Sequence, residues 1–206
     1  MIADRTDSRL SSRTQTAVFC GLTIALMTVS AWITIPIGVV PVTLQVFVLV
    51  FALLFLTPRQ YLLSLVVYLL LGTIGLPVFS AMRGGLGVIA GPTGGFLWGF
   101  LAGAVGALVL LRVVGARRGR VAGTRGFRDT QPVRYLSGRR GFALSVTAAL
   151  VFMAFMYLFG WLQLVFVTGM APSAAFAVGV APFIVIDIVK TIAAVLTAQA
   201  VARALK

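Results

Sequence analysis

Three charged side chains stand apart in this sequence, and their types set the chemistry to look for. Asp187 and Lys190 lie three residues apart inside an apolar stretch, and Arg83 lies in a glycine-rich one. On a helix, residues spaced by three share a face. Asp187 only accepts hydrogen bonds when ionised and Lys190 only donates, so together they suit a ligand with both N–H and C=O groups. The alternative is that they pair with each other and merely hide charge. Arg83 is followed by Gly84 and Gly85, whose missing side chains let backbone approach a ligand closely. A guanidinium is shaped for bidentate capture of a carboxylate, although a solvated loop arginine is the plainer reading. Tyr157 and Trp161, four apart, either stack on a ligand or belong to an interfacial aromatic belt.

The elements that must hold these residues follow from composition. The chain has 206 residues, of which 60% are hydrophobic and only 10% charged. That is not the composition of a soluble domain. Its 17 Lys and Arg against 4 Asp and Glu give a net charge of +13. Such a charge invites a nucleic-acid partner. The positive residues are confined to termini and loops flanking apolar spans, however, which makes membrane lipid the expected neighbour and excludes nucleic acid. There is no His and no Glu, and Cys20 is the single cysteine, so a disulfide within the chain and a Cys/His metal site are both excluded.

About 20 apolar residues cross a bilayer core of roughly 30 Å. Apolar runs at 14–35, 42–56, 60–75, 89–112, 141–168 and 173–203 predict an all-α, polytopic membrane protein with six transmembrane helices. Residues 1–13 read as a disordered cytoplasmic tail and 14–206 as one membrane domain. Residues 112–140, with nine Arg and one Asp, read as a basic cytoplasmic loop. Fifteen of the 17 Lys and Arg fall on one side of the spans, and Arg83 and Lys190 are the exceptions. Both termini and the 57–60 turn are therefore predicted to be cytoplasmic. The segments 35–42, 76–88 and 168–173 face out, and 76–88 reads as loop because of its glycines. Pro92 falls in the first turn of the fourth span, where proline is tolerated. Pro182 is expected to kink the sixth.

Small residues mark two helix faces. Gly91, Gly94, Gly95, Gly99 and Gly103 suit close helix packing. Gly91-Pro-Thr-Gly-Gly95 lacks the lysine and spacing of a phosphate loop. Ala17, Gly21 and Ala25 form a stripe that either packs within the chain or meets another subunit.

Taken in order, several segments carry a family resemblance. They are Pro41-Val-Thr-Leu-Gln45, Tyr68-Leu-Leu-Leu-Gly-Thr-Ile-Gly-Leu-Pro-Val-Phe79, Arg83-Gly-Gly85, Gly91-Pro-Thr-Gly-Gly-Phe-Leu-Trp-Gly-Phe100, and Pro182-Phe183 with Asp187-Ile-Val-Lys190. Together they resemble BioY, the biotin-specific substrate-binding (S) component of energy-coupling-factor importers. Phe96 stands where a tyrosine is usual, Val185-Ile186 where a Pro-Gly is common, and Ala81-Met82 where small residues precede the arginine. The resemblance implies six helices with cytoplasmic ends in a bacterial plasma membrane, biotin as substrate and no cofactor. It implies docking onto a transmembrane energising subunit driven by ATPases, for which the Ala17, Gly21, Ala25 stripe is the candidate contact. Asp187 would accept from a ureido N–H, Lys190 would donate to the ureido oxygen and Arg83 would hold the carboxylate. Tyr157 or Trp161 would pack on the bicycle, with Gln45, Gly84 and Gly85 nearby. A fixed Asp187–Lys190 pair would compete with the ligand, so the two are expected slightly apart or exchanging partners.

Two other classes are weighed against this. An intramembrane enzyme would need more than one membrane-depth acid for acid/base chemistry. An importer for another small vitamin stays open, whereas an ion pathway would place several polar groups in series through the bundle.

Overall fold

The computed structural model describes residues 2–36, 38–117 and 138–204. Its first helix, α1, runs Ile2–Trp32, so the backbone expected to be a disordered tail continues the helix instead. The face of α1 carrying Cys20, Thr23, Met27, Ser30 and Ala31 is buried, at the three- and four-residue spacing of a helix packed on one side.

The all-α reading misses a small hairpin after α1. Strands β1 (Thr34–Ile35) and β2 (Val42–Thr43) pair antiparallel, Thr34 opposite Thr43 and Ile35 opposite Val42. Pro36 and Pro41 bar helix between them, and Gly38 takes a positive φ of 85° at the tip. The β-branched residues on either side suit the extended backbone that results.

Helix α2 is Gln45–Phe55 and helix α3 is Pro58–Thr73. The turn between them is a capping box: Thr57 Oγ1 accepts from Gln60 N–H at 3.3 Å, and Gln60 Oε1 accepts from Thr57 N–H at 3.1 Å. The segment expected to be plain loop holds a 3₁₀ turn, Ser80–Met82, and a short helix, α4, at Leu86–Ile89. Pro92 precedes the next helix rather than lying within it, because α5 starts at Gly94 and runs to Arg117. Helix α6 is Gly138–Thr168, and the predicted basic loop between α5 and α6 lies mostly outside the described residues. The expected sixth span is broken, not kinked. Val180, at φ −127° and ψ −56°, separates α7 (Pro172–Gly179) from α8 (Ala181–Ala204), and Pro182 sits in the first turn of α8.

Among the described residues, four stretches are long and apolar enough to cross a membrane: Thr14–Trp32, Gly94–Val114, Gly138–Thr168 and Pro172–Ala204, the last through the α7–α8 break. The Gln45–Phe55 helix is apolar but shorter. Helices α5 and α6 pack backbone to backbone. A Cβ on Gly99 would lie 2.6 Å from Met156 Cα, and one on Gly103 would lie 2.6 Å from the Phe152 carbonyl oxygen, so only glycine admits this approach. A buried apolar cluster joins α2, α3, α5, α6 and α8 through residues such as Leu53, Leu65, Ala104, Phe152 and Val195.

Candidate ligand-binding site

Where the hairpin, the 76–90 segment and the starts of α2, α5 and α8 converge, the helices leave a cavity of about 720 Å³, measured to its open mouth. Its wall is mainly apolar, with Val42, Val46, Phe79, Phe96, Phe100 and Phe183 among the lining residues. The polar groups are few: Thr43, Gln45, Ser80, Arg83, Thr93, Tyr157 and Asp187.

Asp187 is buried at 6% exposure and is engaged on both oxygens. Tyr157 Oη donates to Oδ2 at 2.7 Å, and Lys190 Nζ donates to Oδ1 at 2.8 Å. Lys190 Nζ also donates to the Thr43 carbonyl at 2.7 Å, tying α8 to β2. The expectation that Asp187 and Lys190 stand slightly apart is thus corrected: they form an ion pair, and Lys190 sits behind Asp187 rather than on the cavity wall. The pairing has a physical cause, since an unpaired charge at this burial would carry a large desolvation cost. Each carboxylate oxygen keeps a second lone pair, and the ammonium keeps one N–H.

Tyr157 meets Phe96 edge to face, with ring centroids 6.5 Å apart and planes at 87°, so the two rings form one corner of the cavity. Trp161 does not join them. One turn further along α6, its Nε1 donates to the Pro172 carbonyl at 2.9 Å and fastens the start of α7, away from the cavity.

Arg83 reaches the mouth of the cavity and is exposed, with Nε donating to the Ser80 carbonyl at 3.4 Å. Lys190–Asp187 is the only ion pair among the described residues, so no acid neutralises Arg83 there. Gly84 and Gly85 lie behind it, not on the wall. A Cβ on Gly84 would collide with the Leu76 backbone, and Gly85 turns at φ +93° while its N–H donates to the Gly72 carbonyl at 2.6 Å. Both glycines shape the loop that presents Arg83.

Gln45 is buried on the wall, and its Nε2 donates to Tyr68 Oη at 2.9 Å. Sequence reasoning missed the apolar lining, because Val42, Phe79, Phe100, Met156 and Phe183 look like core residues. Only the position of Val42, Phe79 and Phe183 within two residues of a proline hinted otherwise. Ala17, Gly21 and Ala25 are all exposed, and nothing lies within 4 Å of a Cβ placed on Gly21. The stripe therefore does not pack within the chain.

A helical membrane protein with a mainly apolar cavity, a paired acid on its wall and a cation at its mouth carries the groups that would suit a small amphiphilic anion. The comparisons give the family. The BioY family model matches residues 5–206, so the chain belongs to the BioY family. It is 37% identical over 178 residues to the probable biotin transporter BioY of Pyrococcus horikoshii, covering 86% of this chain and 90% of that one. It is 33% identical over 181 residues to the biotin transporter BioY2 of Lactococcus lactis, covering 88% and 86%. A crystal structure of the S-component for biotin from an ECF-type ABC transporter has the same fold, with a TM-score of 0.75 at 20% identity over 94% of this chain and 93% of that one.

Proposed function

We propose that this protein takes up biotin, binding it in the cavity as the S component of an energy-coupling-factor importer. It is a multi-pass protein of the plasma membrane and a transporter, not an enzyme. The single observation that carries the assignment of ends is the separation of Asp187, inside the wall, from Arg83, at the mouth. A ureido ring offers two N–H donors and one carbonyl, and a free lone pair of Asp187 accepts from one N–H. Lys190, behind the wall, holds that carboxylate in place from its other side. The bicycle lies against Phe96 and Tyr157, and the tail carboxylate reaches Arg83. The apolar lining takes up the carbon skeleton.

The charge pattern supports six crossings with both termini and the basic segment cytoplasmic, so that the cavity opens to the other side. The exposed Ala17, Gly21, Ala25 stripe is the contact for a transmembrane energising subunit driven by ATPases. Small residues let two helix backbones approach and gain dispersion contacts that lipid does not supply. The test is a calorimetric titration of the purified protein with a vitamin panel. Saturable binding of biotin alone supports the reading, and preference for another vitamin sinks it.

A further inference from the structure

One pair of hydrogen bonds beneath the cavity fixes the direction of a wall residue. Tyr68 is fully buried and does not line the cavity. Its Oη lies 2.8 Å from the Val78 carbonyl oxygen, which only accepts, so the Tyr68 proton is committed there. The Tyr68 oxygen is then an acceptor, and the atom of Gln45 that faces it at 2.9 Å must be the amide nitrogen. A carboxamide carries its donor and its acceptor on opposite prongs. With Nε2 turned to Tyr68, Oε1 is the prong left for the cavity that Gln45 lines.

We propose that Tyr68 is a positioning residue that turns Gln45 Oε1 toward the ligand as a second hydrogen-bond acceptor beside Asp187. Resting on the biotin reading above, this gives each ureido N–H its own acceptor: Asp187 for one and Gln45 for the other. The site then selects cyclic ureas with two free N–H groups, not merely apolar acids. The same Tyr68 hydroxyl holds the backbone that leads through Phe79 to Arg83. Its ring packs edge-on to Phe79 at 5.5 Å, and Phe79 N–H donates to the Arg83 carbonyl at 2.9 Å. One hydroxyl thus sets the wall at the ring end and anchors the loop at the carboxylate end.

The experiment measures affinities of the full-length purified protein for biotin and for its two mono-N-methyl ureido analogues. The proteins are wild type, Gln45→Leu, Tyr68→Phe and the double variant. Gln45→Leu is expected to weaken biotin about tenfold, the scale of one hydrogen bond. It should also erase the methylation penalty at one nitrogen while keeping it at the other. Tyr68→Phe frees the amide to rotate and should reduce that same penalty. The double variant should show the same methylation penalties as Gln45→Leu, because Tyr68 acts on that nitrogen only through Gln45. A Tyr68 that only supports the fold would lower affinity for all three ligands alike and leave the methylation penalties as in wild type; that result overturns the proposal. If Tyr68→Phe does not fold, Gln45→Leu decides alone, since it keeps the Tyr68–Val78 bond. Methylation penalties unchanged in Gln45→Leu overturn this inference while leaving biotin binding intact. A wild type that binds no biotin overturns the functional reading, and this one with it.

Discussion

The α5–α6 seam and the wall between α2 and α8 are both helix–helix contacts of one bundle, yet one is closed and the other holds a cavity. Along the seam both helices are continuous, and Gly99 and Gly103 remove the side chains that would keep the backbones apart. Around the cavity the chain is repeatedly interrupted, at the hairpin, at the Ser80–Met82 turn and at Val180. Each interruption frees backbone carbonyls that a regular helix would use internally, and buried carbonyls need donors. Thr43 receives Lys190, Val78 receives Tyr68 and Ser80 receives Arg83. The irregular backbone therefore does more than make room: its carbonyls hold side chains at and behind the cavity wall.

This contrast can be broken first on the seam. Gly99→Leu should cost about 3 kcal/mol or prevent folding, because the new Cβ meets backbone that does not yield. Thermal unfolding in detergent measures it, and an unchanged melting temperature would mean the seam is looser than described. At the cavity the effects should fall on affinity instead. Asp187→Asn should weaken biotin by about 1.5–3 kcal/mol, the range for hydrogen bonds to a charged group, as read by calorimetry. Tyr157→Phe removes one neutral donor from the same carboxylate and should cost about 1 kcal/mol of affinity with little change in melting temperature.

Long uninterrupted features were legible in the sequence. The α5 and α6 spans followed from apolar length, and the Asp187–Lys190 face followed from a spacing of three in an otherwise uncharged run. The breaks were less so. Hydropathy averages over Val180 and over Pro36–Pro41, so a broken span reads as a long one and a hairpin as loop. Spacing alone also misled at Trp161: four residues from Tyr157 puts it on the same helix face, but one turn further along it meets the start of α7. The apolar lining was illegible, because a phenylalanine facing an empty space and one facing a neighbour look the same in sequence.

The two smallest effects sharpen the comparison at its edges. Arg83→Ala should weaken biotin by about 1 kcal/mol or less, since exposed charge pairs are screened. It should leave an amidated analogue unaffected; equal losses for both ligands would mean that Arg83 does not hold the carboxylate. Gly21→Trp, on an open helix face, should leave biotin affinity and melting temperature nearly unchanged while abolishing co-purification with the energising subunit. Parallel loss of all three would return the stripe to internal packing.

The most direct measurement is an experimental structure of the protein with biotin bound. The ureido ring is expected within hydrogen-bonding distance of Asp187, with the ring system against Phe96 and Tyr157 and the carboxylate at Arg83. A biotin lying in the reverse direction, with its carboxylate inside the wall, or bound outside this cavity altogether, would contradict the assignment of the site.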